Sequence, residues 1–158
     1  EVAEYILGMP VDPQKTWGMF GSCTLMARRE VFKEIGSFDE SFRRSAELDF
    51  AIRAAFKGAH FVAVNKSLIG MHKTKSPDKA GKIPLFYALK LRKKYMKYLT
   101  SRGFYNSSIL IAYSNFHLNK KNKLIGIIFR LLAFFCAPFF FLNTLKRKFI
   151  SLIKIKRN

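Results

Sequence analysis

"SFRRSAELDFAIRAAFKG", Ser41–Gly58, places two acids, Glu47 and Asp49, among four cations. The acids stand at the head of an apolar stripe. Leu48, Ala51, Ile52, Ala55 and Phe56 recur at helix spacing, and Gly58 stops the pattern. Three readings of the acids follow from spacing alone. They favour the helix dipole as first-turn residues. Asp49 precedes Arg53 by four, the spacing of a surface ion pair. Or they are the working carboxylates of a site.

Outward from this helix, "RREVFKEIG" predicts a second, short one, with Val31, Phe32 and Ile35 on its apolar face and Gly36 as its C-cap. "SFDESF" between them reads as a loop. On the outer sides, "EYILGM", the apolar run after "WGMFGSC" and the alternating "AHFVAVNKSLIG" read as strands. The order strand–helix–helix–strand predicts an α/β layer architecture for residues 1–78.

Charge divides the chain. Residues 1–78 hold ten acids against eleven Lys or Arg, whereas residues 79–158 hold eighteen Lys or Arg and no acid. The net +19 therefore lies almost wholly in the second half, which points to a polyanionic partner, an anionic membrane surface or a nucleic acid. No zinc-finger or RNP motif accompanies the charge, so a nucleic acid is not expected. Cys23 and Cys136 form neither a CxxC nor a disulfide framework. The chain opens at Glu1 without a methionine, which suggests the later part of a longer protein.

The second half is predicted to be helical. "LFYALKLRKKYMKYLTSRG" and "FYNSSILIAYSNFHLNKKNK" read as a basic helical hairpin over 79–123. Leu124–Asn143 is apolar apart from Arg130 and the terminal Asn143, and would be about 30 Å long as a helix. Arg130, Pro138 and the basic flanks favour attachment in the membrane plane or as a re-entrant segment over 124–158. A simple span and a buried helix are the alternatives. "FISLIKIKRN" has the apolar-and-basic pattern of an interfacial helix.

Two further stretches bear candidate ligand groups. Gly18 and Gly21 permit close backbone approach, and Trp17 and Phe20 offer flat surfaces suited to a sugar or ring; a tight turn with core aromatics is the bland reading. His72 follows a predicted strand and opens a polar loop with Lys73 and Lys75, a place where α/β sheets set ligand groups for a metal or a diphosphate. His60 reads as structural.

Taken in order, "G-S-C-x-L-x-x-R-R-x-V-F-x-E-I-G-x-F-D-E-x-F", an acidic pair, "D-F-A-I-R", "K-G" and a strand ending at a histidine resemble the second half of a family 2 glycosyltransferase with the GT-A fold, over roughly Glu4–Lys79. The resemblance implies an incomplete, Rossmann-like α/β half. It implies an inverting transfer of sugar from a nucleotide-sugar to a glycan or lipid-linked acceptor in surface polysaccharide synthesis, at the cytoplasmic face of the cell membrane. Gly21 and Ser22 match the segment lining the acceptor side. Glu47 falls at the general-base position, with Ala46 where the family usually has Glu. Asp49 becomes a supporting acid, Arg53 or the Arg43–Arg44 pair assists the phosphates, and His72 matches a histidine near a divalent cation, Mg2+ or Mn2+. The family's D-x-D metal motif is absent from these 158 residues, so the fragment alone is not expected to transfer sugar. The competing expectation is a non-enzymatic basic module for membranes or nucleic acid.

Overall fold

A computed structural model describes residues 1–12, 20–64, 66, 68–70, 81–139 and 141–142. Its helices are α1 (Val2–Ile6), α2 (Arg29–Ile35), α3 (Ala46–Phe56), α4 (Ile83–Lys94), α5 (Met96–Ser101), α6 (Tyr105–Asn119) and α7 (Lys123–Cys136). The described residues are 61% helix and contain no strand, so the expected Rossmann-like α/β half is overturned.

Each predicted strand has a physical reason for its different fate. The first half of "EYILGM" lies in α1; Leu7, its C-cap, is wholly buried, and the chain turns away at Gly8 with φ +79°. Its apolar side chains meet neighbouring helices, and its backbone groups bond within the segment (Tyr5 N–H to Glu1 O, 2.8 Å). Val62, Val64, Leu68 and Ile69 are exposed by 80, 64, 71 and 45%. A strand exists only where a neighbour completes its ladder, and no described residue supplies one here. In the run after "WGMFGSC", Gly21–Thr24 forms a turn instead, and Met26 is 96% exposed.

The two predicted helices of the first half are present as α2 and α3. They are locked by aromatic contact: Phe32 stacks on Phe50 at 4.6 Å, and Phe38 closes on Phe50 at 5.3 Å. Phe50 is 1% exposed, and burial of such a side chain contributes about 1.5–3 kcal/mol. Gly36 ends α2 at φ +85°, a conformation that strains any residue with a Cβ.

One apolar cluster runs from Leu7 and Ile52 through Leu91 and Leu99 to Phe104, Ile111 and Ala133. A buried cation is threaded through it. Arg92 donates from Nε to the carbonyl and hydroxyl of Ser108, 2.8 Å each, and from a terminal nitrogen to Ala88 O at 2.9 Å. Ser108 Oγ in turn donates to Leu7 O at 2.6 Å. These bonds join α1, α4 and α6. Burial lowers the pKa of Arg92 to about 10.

The predicted helical hairpin is seen with one break, at Tyr95, which separates α4 from α5. The α6–α7 contact is close at Gly126. Gly126 lies so near α6 that an added Cβ would stand 2.6 Å from Leu118 Cγ. Ser107 and Ser114 donate across the gap to Ala133 O (2.9 Å) and Gly126 O (2.7 Å). Fourteen residues give α7 a length of about 21 Å. Among the described residues, no helix is long and apolar enough to cross a membrane. "FISLIKIKRN" lies outside the described residues.

Candidate functional site

The acids of Ser41–Gly58 come to sit in different surroundings one turn apart. α3 begins after Ser45, which holds a left-handed φ of 67°, and no side chain caps it. Glu47 and Asp49 occupy its first turn, so both profit from the positive end of the helix dipole.

Asp49 is completely buried. One oxygen accepts from Tyr95 Oη at 2.7 Å and from Lys94 Nζ at 2.6 Å; the other accepts from Arg53 Nε at 2.9 Å. Arg53 extends the lock. Its two terminal nitrogens donate to Ile35 O (2.6 Å) and Ser37 O (2.7 Å), the carbonyls at the end of α2. Lys94 also reaches Asp39 Oδ2 at 2.7 Å, and Asp39 receives the backbone N–H of Ser41 at 3.0 Å. Asp49 thus ties α2, α3, α4 and the "SFDESF" loop into one network. The ion-pair reading of Asp49 and Arg53 is what the geometry displays, and neither side chain keeps a polar atom turned to a ligand.

The same network sets the titration of its members. The Lys94 ammonium beside Asp39, with the Ser41 bonds, holds the Asp39 carboxyl far below the usual carboxylate range. Burial works against the charge on Lys94, but the bonds to Asp39 and Asp49 outweigh it and raise the pKa. Burial, reinforced by the bond to Asp49, pushes the Tyr95 phenol well above its ordinary value. Tyr95 is therefore a permanent donor.

Glu47 is different. It is half-buried, and among the described residues it has neither an ion pair nor a hydrogen bond. Three and four residues before it, Arg44 and Arg43 line an open cleft of roughly 310 Å³ together with Lys82, Ile83, Phe86 and Tyr87. Phe86 is 60% exposed and presents a flat apolar face. Three cations beside aromatic rings suit an anionic group attached to an apolar or sugar body.

The remaining candidates lie elsewhere. Gly21 and Ser22 form an exposed turn in which Gly21 N–H donates to Thr24 Oγ1 at 2.9 Å. Phe20 beside it packs against Tyr5 and Phe61, at 6.2 and 5.8 Å. Trp17 and His72 lie outside the described residues. No group of three His, Cys, Asp or Glu able to hold a metal occurs among the described residues. The committed oxygens of Asp49 do not fit a cation ligand either.

Sequence reasoning missed Tyr95, Lys94 and Asp39 as partners of Asp49, and Lys82 and Phe86 as cleft residues. Tyr95 stands 46 positions from Asp49, and no local spacing signals such a contact. Of the cations on α4, Lys94 pairs with Asp39 and Lys90 donates to Ser41 O, so both are tied to the "SFDESF" loop.

Comparison with protein-family models, curated proteins and solved structures found no match to this chain.

Proposed function

We propose that the chain is the acceptor-side portion of an inverting, nucleotide-sugar-dependent glycosyltransferase that works at the cytoplasmic face of a membrane, with Glu47 as general base. The proposal concerns the reaction; it claims no Rossmann-like fold. The observation that carries it is the division between two acids one turn apart. Asp49 is consumed by the scaffold, and Glu47 is left without a partner among the described residues, three residues along the chain from Arg44 of the basic cleft. The ordered motifs of residues 4–79 support the same residue.

In the proposed reaction, Glu47 takes the proton of an acceptor hydroxyl as that oxygen attacks carbon one of the donor sugar. The bond from carbon one to the nucleoside diphosphate breaks on the opposite face, and the configuration inverts. Arg43, Arg44 and Lys82 face the phosphate of a lipid-linked acceptor or the departing diphosphate, while Phe86 offers a surface for a sugar or an isoprenoid chain. Asp49, through Arg53 and Lys94, positions the helix that presents Glu47. A Mg2+ or Mn2+ ion, if used, needs ligands beyond the described residues, with His72 a candidate. Donor binding likewise needs residues outside these 158, since no D-x-D is among them.

The test is Glu47→Gln in the full polypeptide, assayed in membranes with a panel of labelled nucleotide-sugars. A general base contributes about 10²–10⁴-fold, so transfer should fall by at least about a hundredfold while the helical circular-dichroism signal is unchanged. Unaltered turnover would remove Glu47 as base. The second reading, a non-enzymatic basic membrane module, is favoured by the apolar outer side of α7. Sugar transfer by the wild-type polypeptide excludes it.

A further inference from the structure

We infer that α6 and α7 form a membrane-docking hairpin in which α7 lies in the plane of the bilayer interface with its outer face among the acyl chains. The inference rests on the membrane location proposed above but not on sugar transfer.

Three observations carry it. The first is the distribution of size. Leu124, Ile128, Leu131 and Phe135 fall on one face of α7 at i+4, i+7 and i+11 from Leu124, and are exposed by 74, 47, 55 and 74%; Leu142, past the end of the helix at Cys136, is 51% exposed. Ile127, Leu132 and Phe139 widen the stripe, exposed by 52, 46 and 80%. A face of this extent in water far exceeds the scattered apolar residues of ordinary surfaces.

The second is what the hairpin buries instead. Its inner seam includes Gly126 and Ala133 on α7 against Ser107 and Ser114 on α6, with Phe129 stacked beside them on Tyr113 and His117. The serine hydroxyls donate to Ala133 O and Gly126 O across the seam. Small residues inside, large apolar residues outside and hydroxyls bonded between helices form the packing pattern of helices whose outer solvent is lipid. A helix awaiting a protein partner gains nothing from that inversion. Arg130, the single charge in the Leu124–Leu142 run, is turned back to α6, where it donates to Ser114 Oγ (3.3 Å) and Asn115 Oδ1 (2.9 Å).

The third is charge. Lys120, Lys121 and Lys123 stand at the entry to α7, six more cations follow within residues 143–158, and no acid occurs after Asp78. This complements a surface of anionic phospholipid. The length of α7, about 21 Å, is too short for a perpendicular span of about 30 Å and suits an in-plane helix.

The test is flotation of the purified full chain with phosphatidylethanolamine–phosphatidylglycerol vesicles and with phosphatidylcholine vesicles. Binding should be strongest to the anionic vesicles and should persist in part at 1 M NaCl. Leu131→Asp with Phe135→Asp should lower the floated fraction by at least about tenfold, since charges on the lipid-facing side oppose insertion. Both positions are exposed, so the helical signal should stay intact. Leu131→Ser with Phe135→Ser provides a gentler second pair that should give an intermediate loss. In a Trp17→Phe background, Ile128→Trp should give fluorescence quenched by brominated lipid acyl chains, and Lys120→Trp should be quenched less. Three results would overturn the inference: complete release by salt alone, flotation insensitive to both pairs, or a lipid-free dimer that the Asp pair dissociates. Loss of flotation with sugar transfer retained, or the reverse, shows which proposal has failed.

Discussion

Two amphipathic helices of this chain, α3 and α7, follow opposite rules. α3 turns Phe50, Ala51, Ile52 and Ala54 inward and buries Asp49 among them. α7 turns its two smallest helical residues, Gly126 and Ala133, inward and leaves its leucines and Phe135 outside. The difference lies in what meets each helix. α3 faces α1, α2 and the tyrosine of the α4–α5 break, a surface wide enough to cover its stripe and polar enough to satisfy Asp49. Among the described residues α7 packs chiefly on α6, along a seam where a methyl group at Gly126 would force Leu118 to shift. Burial of a polar group is tolerable only when every partner is present, and exposure of a broad apolar face only when another solvent takes the place of water.

The sharpest way to break the comparison is at Asp49. Asp49→Ala removes the acceptor shared by Tyr95, Lys94 and Arg53 and leaves the part-buried Tyr95 Oη and Arg53 Nε without it, while Lys94 keeps Asp39. A loss of about 3–5 kcal/mol in urea unfolding is expected. Asp49→Asn, which keeps the shape and one acceptor oxygen, should cost less. A stability change below 1 kcal/mol for the alanine variant would show that the network is not what holds α3.

At the other helix, Gly126→Ala should cost about 1–3 kcal/mol. The new methyl group meets Leu118 Cγ at 2.6 Å and, at 3.2 Å, the less yielding backbone nitrogen of Leu118. Thermal unfolding checks it, and a neutral result would mean that the seam can open.

The ionic part of the α3 network should reveal itself by pH. The raised pKa of Lys94 means that its contribution is fully present below the unfolded lysine value of about 10.4 and is lost as pH rises through the higher folded value. The depressed pKa of Asp39 means that its contribution is present above the unfolded value of about 3.9 and is lost as pH falls toward the folded one. Lys94→Met should therefore show a stability gap from wild type that is flat between about pH 5 and 10 and shrinks beyond both ends. A gap that varies across neutral pH would place the sensitivity in another group.

The smallest effects on stability are expected on the exposed sides. Glu47→Gln and Phe135→Asp should each change unfolding free energy by less than about 0.5 kcal/mol, although the first is expected to stop sugar transfer and the second to weaken vesicle binding.

Much of the helical layout was legible. The stripe after Glu47, the capping glycines at 36 and 58 and the basic helices of the second half follow from local periodicity, which a helix satisfies with its own hydrogen bonds. The strands were not legible, because alternation in "AHFVAVNKSLIG" records only a tendency to pair, and pairing needs a second strand that no described residue provides. Of the site, the Asp49–Arg53 pair was readable from its spacing of four. The Tyr95 and Lys94 partners were not, since they arrive from a helix more than forty residues away.

By itself, then, the sequence determined that α2 and α3 are helices followed by Gly36 and Gly58, the basic character of everything after residue 78 and the presence of two acids at the head of α3. Those properties are local, set by side-chain spacing and by backbone conformations that only certain residues adopt. Only the tertiary structure decided that Asp49 is locked away while Glu47 is left without a partner among the described residues, and that α7 shows its large side chains to the outside. Both depend on which surface each helix meets, and that is fixed by packing between segments distant in the chain.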